Sequence, residues 1–328
     1  MTTRALKMAR KRREKKRMEN NRIIIGVDVG NGYTKTISSE FVSSVKDYGE
    51  TKPAIEDKCL EYNGRYYVVG GERTKTKTDN KDDNTDLILA LAAIGEELKN
   101  RNIGDNPVSI ILSEGLPVER CIAENKAKDI EYYLKGQWVD FEYEGVKRTV
   151  YIEDVLVNPQ AVSGVMELLS NKKIPPRCLV VDIGSWTMDV LQVENYKPQS
   201  TNCHSFLNGV ITCMLNCNEE IRRRTGREVL ESQIQEVMRG DAMALPPKYS
   251  TIVENEVKKY VKSISDTLIE NKYNTETLYV VFMGGGATLV ERYGKELFPM
   301  SRFLTDIHAN AIGYEQIARV VAKRKGLI

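Results

Sequence analysis

Ile23-Ile24-Ile25-Gly26-Val27-Asp28-Val29-Gly30-Asn31-Gly32-Tyr33-Thr34-Lys35 is the stretch on which the fold turns. Its apolar run reads as a buried strand that ends at a carboxylate, passes through a Gly-rich turn and returns with a lysine. A turn rich in glycine lets backbone N–H groups converge on an oxyanion without interference from Cβ atoms, which is what a phosphate cradle needs. Gly-Asn-Gly is also ordinary chemistry for the tip of a hairpin, so this stretch alone does not separate the two readings.

A second copy changes the balance. Cys178-Leu179-Val180-Val181-Asp182-Ile183-Gly184-Ser185-Trp186-Thr187-Met188-Asp189-Val190-Leu191 repeats the order of apolar strand, Asp, Gly, hydroxyl-bearing turn and departing strand. A third element, Leu278-Tyr279-Val280-Val281-Phe282-Met283-Gly284-Gly285-Gly286-Ala287-Thr288-Leu289, runs a strand into three glycines and then a helix-like segment. Each element is common by itself; the ordered set of three is specific.

At 328 residues the chain exceeds what one hydrophobic core usually serves, so two domains are expected, with 41% hydrophobic residues to fill them. No run approaches the roughly 18 apolar residues of a membrane span, and the first residues lack a signal peptide's apolar segment. A cytoplasmic protein without membrane contact is the expectation. The six cysteines, Cys59, Cys121, Cys178, Cys203, Cys213 and Cys217, form no C-x-x-C pair. Cys213 and Cys217 are spaced to share a helix face, but two thiols near His204 make a poor metal site, and the cysteines read as small buried hydrophobes.

Charge is unevenly spread. Residues 1–22 carry ten Lys/Arg against Glu14 and Glu19, a net of +8, so with +2 for the whole chain the remainder carries −6. A basic arm on an acidic body reads as a disordered extension, or as a direct nucleic-acid contact made by counterion release. No aromatic is interleaved, so base stacking is not implied.

Between the glycine-rich turns, Asn63-Gly64 within Tyr62–Gly71 signals a hairpin, and Glu72–Asp86 reads as an exposed loop. Leu87, Leu91, Ile94 and Leu98 recur at helical spacing, and Val108–Ser113 is a short buried strand. A helix over Glu124–Leu134 precedes a hairpin of Trp138–Tyr143 and Lys147–Ile152, and Asn158-Pro159 opens a helix at Gln160. Further helices are expected to Arg224, over Leu230–Arg239 and over Ile252–Asn271, the last with an apolar stripe of Val257, Val261, Ile264 and Leu268. Ala309-Asn310-Ala311-Ile312-Gly313-Tyr314 opens the final helix.

The three glycine-rich elements resemble, in order, the first phosphate loop, second phosphate loop and adenosine loop of the actin, Hsp70 and sugar-kinase superfamily. Within it, Asp28–Lys35, Gly115-Leu116-Pro117-Val118, Asn158-Pro159-Gln160, Asp182-Ile183-Gly184, Met283–Ala287 and Ala309–Tyr314 are most similar to the bacterial plasmid-segregation actins of the ParM (StbA) family. The resemblance covers residues 23 to about 325. It implies an α/β, actin-like fold of two domains, each with a mixed five-stranded sheet flanked by helices, and a nucleotide cleft between them. Domain I would run over 23–158, with a small insertion at about 45–85, domain II over 159–308, and a connector helix over 309–328 would return to domain I. Two features depart from the family pattern: Ser185-Trp186 stands where many relatives have small residues, and the basic arm has no counterpart.

The same resemblance implies roles. ATP, or GTP, with Mg²⁺ would meet Gly30, Asn31, Gly32 and Tyr33 on one side and Gly184, Ser185, Trp186 and Thr187 on the other, with Lys35 on the β-phosphate. Asp28 and Asp182 would hold Mg²⁺ through water, since that ion keeps most of its hydration shell. Gly284, Gly285, Gly286 and Ala287 would pass beneath the adenosine, and Gly209, Gln235 and Glu236 would meet ribose and base. Gln160 would orient the attacking water; an amide is no strong base, so turnover should be slow. The chain would polymerise with itself and engage a DNA-binding adaptor on a plasmid. A small-molecule kinase of the same superfamily, or a bacterial or phage actin with no segregation role, are the alternatives.

Overall fold

The opening apolar run forms β1 (Arg22–Val29), whose residues from Ile24 to Asp28 are all buried. The computed structural model describes residues 22–54, 57–72, 84–116, 121, 134–241 and 243–328. The chain divides into two units, one formed by the chain up to Ser163 together with Asn310–Ile328, the other by Gly164–Ala309.

In the first unit β1 is followed by β2 (Tyr33–Lys35), β3 (Glu40–Val42), β4 (Val45–Asp47), β5 (Cys59–Tyr62), β6 (Arg65–Val69), α1 (Asn84–Asn100), β7 (Val108–Leu116), β8 (Gln137–Tyr143), β9 (Val146–Pro159) and the start of α2 (Val162–Ser170). The strands make one sheet in the order β3-β2-β1-β7-β9-β8-β5-β6-β4. Five strands are expected from the resemblance and nine are found, because β9 is long enough to serve two ladders. Its first half pairs antiparallel with β8 and its second half parallel with β7, so β8, β5, β6 and β4 extend the sheet. The parallel ladder carries one extra residue, Glu153, where Ile110 faces Ile152 but Ile111 faces Asp154. Such a bulge bends the strand. Asp154 there is held by Lys135 and Lys325.

The second unit holds β10 (Cys178–Ile183), β11 (Met188–Glu194), β12 (Lys197–Phe206), α3 (Val210–Thr225), α4 (Glu231–Arg239), α5 (Pro247–Glu270), β13 (Val280–Met283), α6 (Ala287–Gly294) and β14 (Ser301–Phe303). Its sheet has five strands in the order β12-β11-β10-β13-β14. β10 and β13 run parallel and are wholly buried, as their unbroken apolar sequences require. Val257, Val261, Ile264 and Leu268 of α5 are all buried in the core of this unit.

Several boundaries differ from the sequence reading. Arg22 is not part of the arm: it starts β1 and donates to Glu153, with Nη2 2.7 Å from Oε1. The helix expected at Gln160 begins at Val162, because Pro159 ends β9 and Gln160-Ala161 form a turn. α1 is not amphipathic in its setting: Ile88 to Leu98 are buried without interruption, Glu96 and Glu97 included. α5 starts five residues earlier than expected, with Pro247 in its first turn. Of the cysteines, Cys178, Cys213 and Cys217 are buried and the other three half-buried. The helix expected over 124–134 falls, but for Leu134, outside the described residues, as do most of the Glu72–Asp86 loop, Pro117-Val118 and the arm over 1–21. Among the described residues, no helix is long and apolar enough to cross a membrane.

The last helix, α7 (Ala309–Arg324), lies against β1 and β7, where Ile24, Ile111, Ala318 and Ala322 share a small buried cluster. The approach is close enough that a Cβ on Gly26 would fall 2.2 Å from the Ala311 carbonyl oxygen, which is backbone and cannot swing aside. Gly26→Ala should therefore lower stability by about 1–3 kcal/mol or more, as overpacking does, read as an earlier urea midpoint. An unchanged midpoint would mean that α7 shifts without cost.

Candidate functional site

In the first unit the geometry centres on Asp28. β1 delivers it, buried, to the end of the sheet, and the chain reverses so that Lys35 of β2 pairs with it across the ladder. The Gly30 amide donates to the Asp28 and Tyr33 carbonyls at 3.0 and 3.1 Å, which closes the turn, and Ser43 donates from its amide to the Gly32 carbonyl at 2.9 Å. Gln160 Nε2 donates to Asp28 Oδ1 at 3.0 Å, and Tyr314 Oη approaches the same oxygen at 3.4 Å. Burial pushes the Asp28 carboxyl above its ordinary value; the Lys35 charge and hydrogen bonds from Gln160, Tyr314 and Asn310 oppose that.

Gln160 is fixed by its backbone too. Its amide donates to the Leu116 carbonyl at 2.9 Å, and the next residue, Ala161, is held at φ +62° while almost fully buried. A non-glycine residue in the left-handed region costs on the order of 1 kcal/mol and persists only where its surroundings impose it. Here Asn310 Oδ1 accepts the Ala161 amide at 3.1 Å. Asn158 anchors the end of β9 to β7, donating to Ser113 Oγ at 2.9 Å and the Glu114 carbonyl at 3.1 Å. In turn, Ser113 Oγ donates to the Tyr314 carbonyl at 2.9 Å. Tyr314 reaches Asp28 because Gly115 leaves room: a Cβ there would lie 1.8 Å from the tyrosine oxygen.

In the second unit β10 delivers Asp182, also buried, in the same way. The Gly184 amide donates to the Thr187 carbonyl at 2.9 Å. The N-terminus of α3 then docks on the carbonyl side of this turn: the amides of Gly209, Val210 and Ile211 donate to the carbonyls of Trp186, Gly184 and Ser185 at 3.0, 3.0 and 2.9 Å. Those carbonyls are thereby occupied, whereas the amides of Ser185, Trp186 and Thr187 have no partner among the described residues. Three adjacent unpartnered N–H groups are what an anion cradle presents. Gly209 is a glycine for this docking, since a Cβ would meet the Ser185 oxygen at 2.4 Å.

The triple glycine turns between β13 and α6 against Asp182. Gly284 has φ +79°, and a Cβ on it would lie 2.3 Å from Asp182 Oδ1. Gly286 is similarly crowded by Ile183, whereas Gly285 has nothing within 4 Å. Ala287 is buried at the start of α6. Gln235 donates to Glu231 one turn earlier on α4, at 3.4 Å, and Glu236 is exposed.

The first unit thus brings together Asp28, the glycine turn and Lys35, and the second Asp182, the Gly184–Thr187 turn, Gly209 and Gly284. Asn310 and Tyr314, which read in the sequence only as family motif positions, prove to contact Asp28, and Asn310 also Ala161 beside Gln160, while Gly115 leaves the room that Tyr314 occupies. Glu114 has no signal in the sequence beyond being a charged residue at a strand end.

Strand-Asp-Gly turns at equivalent places in two units, with a glycine turn against the second Asp, define a protein of the actin-like superfamily, and this chain belongs to it. Residues 26–162 match the model for the N-terminal domain of actin-like proteins, and residues 180–296 that for the C-terminal domain of archaeal MreB-like actin homologues. Among solved structures, the archaeal actin homologue Ta0583 in complex with ADP superposes with a TM-score of 0.68 at 22% identity, covering 91% of this chain and 99% of that one. Bacillus thuringiensis ParM with AMPPNP gives 0.68 at 16% identity, covering 92% and 99%. The Alp12 filament structure gives 0.67 at 15%, covering 93% and 99%. No curated protein matches the sequence.

Proposed function

We propose that this chain is an actin-like ATPase that assembles with itself into nucleotide-dependent filaments and, through a DNA-binding adaptor, segregates plasmid DNA. The observation that carries the reading is the Gln160–Asp28 hydrogen bond. A carboxylate only accepts, so the glutamine nitrogen must face Asp28 and its carbonyl oxygen must point elsewhere. That oxygen is then the group that accepts a hydrogen bond from a water and aims its lone pair at the terminal phosphorus. Positioning and charge stabilisation supply most of the acceleration in such reactions.

Each Asp-Gly turn is a phosphate-binding element in this reading, through the Ser185–Thr187 amides in the second unit and through the Gly30–Tyr33 turn with Lys35 in the first. Asp182 fits an ion that keeps its waters, since a Cβ at Gly284 would fill the space beside its Oδ1; Asp28, the carboxylate of the corresponding turn in the first unit, is assigned the same role. Mg²⁺ bound there would neutralise phosphate charge. The ADP, AMPPNP and filament named for the similar structures support the nucleotide and self-assembly parts of the reading.

Light scattering and electron microscopy of the purified chain with ATP, GTP or ADP, alongside phosphate release, test the whole proposal; no assembly with any triphosphate would overturn it. Asp182→Ala should weaken assembly and hydrolysis together by about 10- to 100-fold, the usual cost of losing a group that orients a metal's shell. Normal turnover would remove Asp182 from the site. Deleting residues 1–21 should leave ATP hydrolysis intact while abolishing any DNA binding that falls steeply with salt. DNA binding with an unchanged salt slope would place the contact within residues 22–328.

A further inference from the structure

We propose that Asn310 and Tyr314, one turn apart on α7, are positioning residues for hydrolysis: they set the orientation of Gln160 without touching the nucleotide. This deepens the proposed function and rests on Gln160 being the water-orienting group. Asn310 acts at two points. Its Oδ1 accepts the Ala161 amide at 3.1 Å, which holds the left-handed turn directly after Gln160, and its side chain is also hydrogen-bonded to Asp28. Tyr314 adds a second donor at Asp28 Oδ1, 3.4 Å away, the same oxygen that receives Gln160 Nε2 at 3.0 Å.

The result is a closed loop of contacts: α7 to Asp28, Asp28 to the Gln160 side chain, Gln160 through its own backbone to Ala161, and Ala161 back to α7. Two features of the chain are needed to build it. A buried alanine at φ +62° is strained, and Gly115 must lack a Cβ for the tyrosine oxygen to fit. Asn310, Tyr314 and Asp28 are all buried, so the contacts are not exchanged with bulk water. Released from this loop, the Gln160 carbonyl would sample several directions, and misplacement by about 1 Å costs on the order of a hundredfold in rate.

The test compares Asn310→Ala, Tyr314→Phe, Gln160→Ala and the double variant Asn310→Ala/Gln160→Ala by single-turnover phosphate release, ATP affinity and thermal melting. The expected result for Asn310→Ala is phosphate release slowed by about ten- to a hundredfold with ATP affinity within about twofold, and a smaller change in the same direction for Tyr314→Phe. The double variant should be no slower than Gln160→Ala alone, because a residue that acts through another adds nothing once that other is gone. A merely structural Asn310 would instead give multiplicative losses, or an ATP affinity that falls with the rate, and either result overturns the inference. If Gln160→Ala itself hydrolyses at the wild-type rate, the reading of the glutamine has failed; if it is slow and Asn310→Ala is fast, only the positioning role falls. Should Asn310→Ala not fold, Asn310→Asp replaces it: the acceptor for Ala161 is kept while the donor to Asp28 is lost, so slowed release at intact affinity supports the inference and wild-type release refutes it.

Discussion

Gln160→Ala should slow phosphate release by about a hundred- to a thousandfold, or 2.7–4 kcal/mol, the usual cost of deleting one positioned polar group from a transition state. The substitution also takes a donor from Asp28, but Tyr314 and Asn310 remain on that carboxylate, so ATP binding should survive. Such a variant should still assemble with ATP and form filaments that outlast the wild type's, since the step that ends their lifetime is the one removed. Phosphate release and light scattering on a single sample check both halves. Hydrolysis at the wild-type rate would make Gln160 a residue of the strand-to-helix turn and nothing more; loss of assembly would place it in nucleotide binding.

The second large effect concerns stability. Glu114 lies near the end of the buried part of β7 with no hydrogen-bond partner for its Oε1 among the described residues, and burial, with some repulsion from Asp86, pushes its carboxyl up to about 7. The folded state therefore keeps a proton that the unfolded chain releases near 4.5, so stability falls as pH rises from about 4.5 to about 7 and is flat above. The shift corresponds to roughly 3 kcal/mol. Glu114→Gln removes the charge and the dependence: variant and wild type should melt alike at pH 4, with the variant several degrees higher at pH 8. A difference that does not change with pH would show that the carboxylate is compensated when charged.

What the sequence discloses about this molecule is what its chain places close together. The Asp28 and Asp182 turns are each written within about a dozen residues, and strand, carboxylate and glycine declare themselves locally. The Asn63-Gly64 hairpin is legible for the same reason: both residues adopt positive φ, which Asn and Gly tolerate. The contacts that give the first turn its chemistry are not written locally. Tyr314 meets Asp28 across 286 positions and Ala161 meets Asn310 across 149; Gly26 and Gly115 look like any strand glycines until a helix arrives from the far end of the chain. The full burial of α1 escapes periodicity because Glu97 is satisfied inside, by Ser38 and Arg101. The nine-stranded sheet escapes it because nothing in Val146–Pro159 announces that one strand will pair with different partners at its two ends.

That shared strand makes the molecule count. From Val146 to Pro159 each residue alternates between the two sides of the sheet, and the surplus Glu153 swaps the sides once: Val150 and Ile152 before it and Val155 after it all face the core. Removing or adding one residue anywhere along this run would send Asn158 to the opposite side and carry Gln160 with it. Most single substitutions between the hairpin and the glutamine should therefore be absorbed, whereas a one-codon deletion or insertion should not be. Related genes ought to vary in spelling here while keeping the same number of letters.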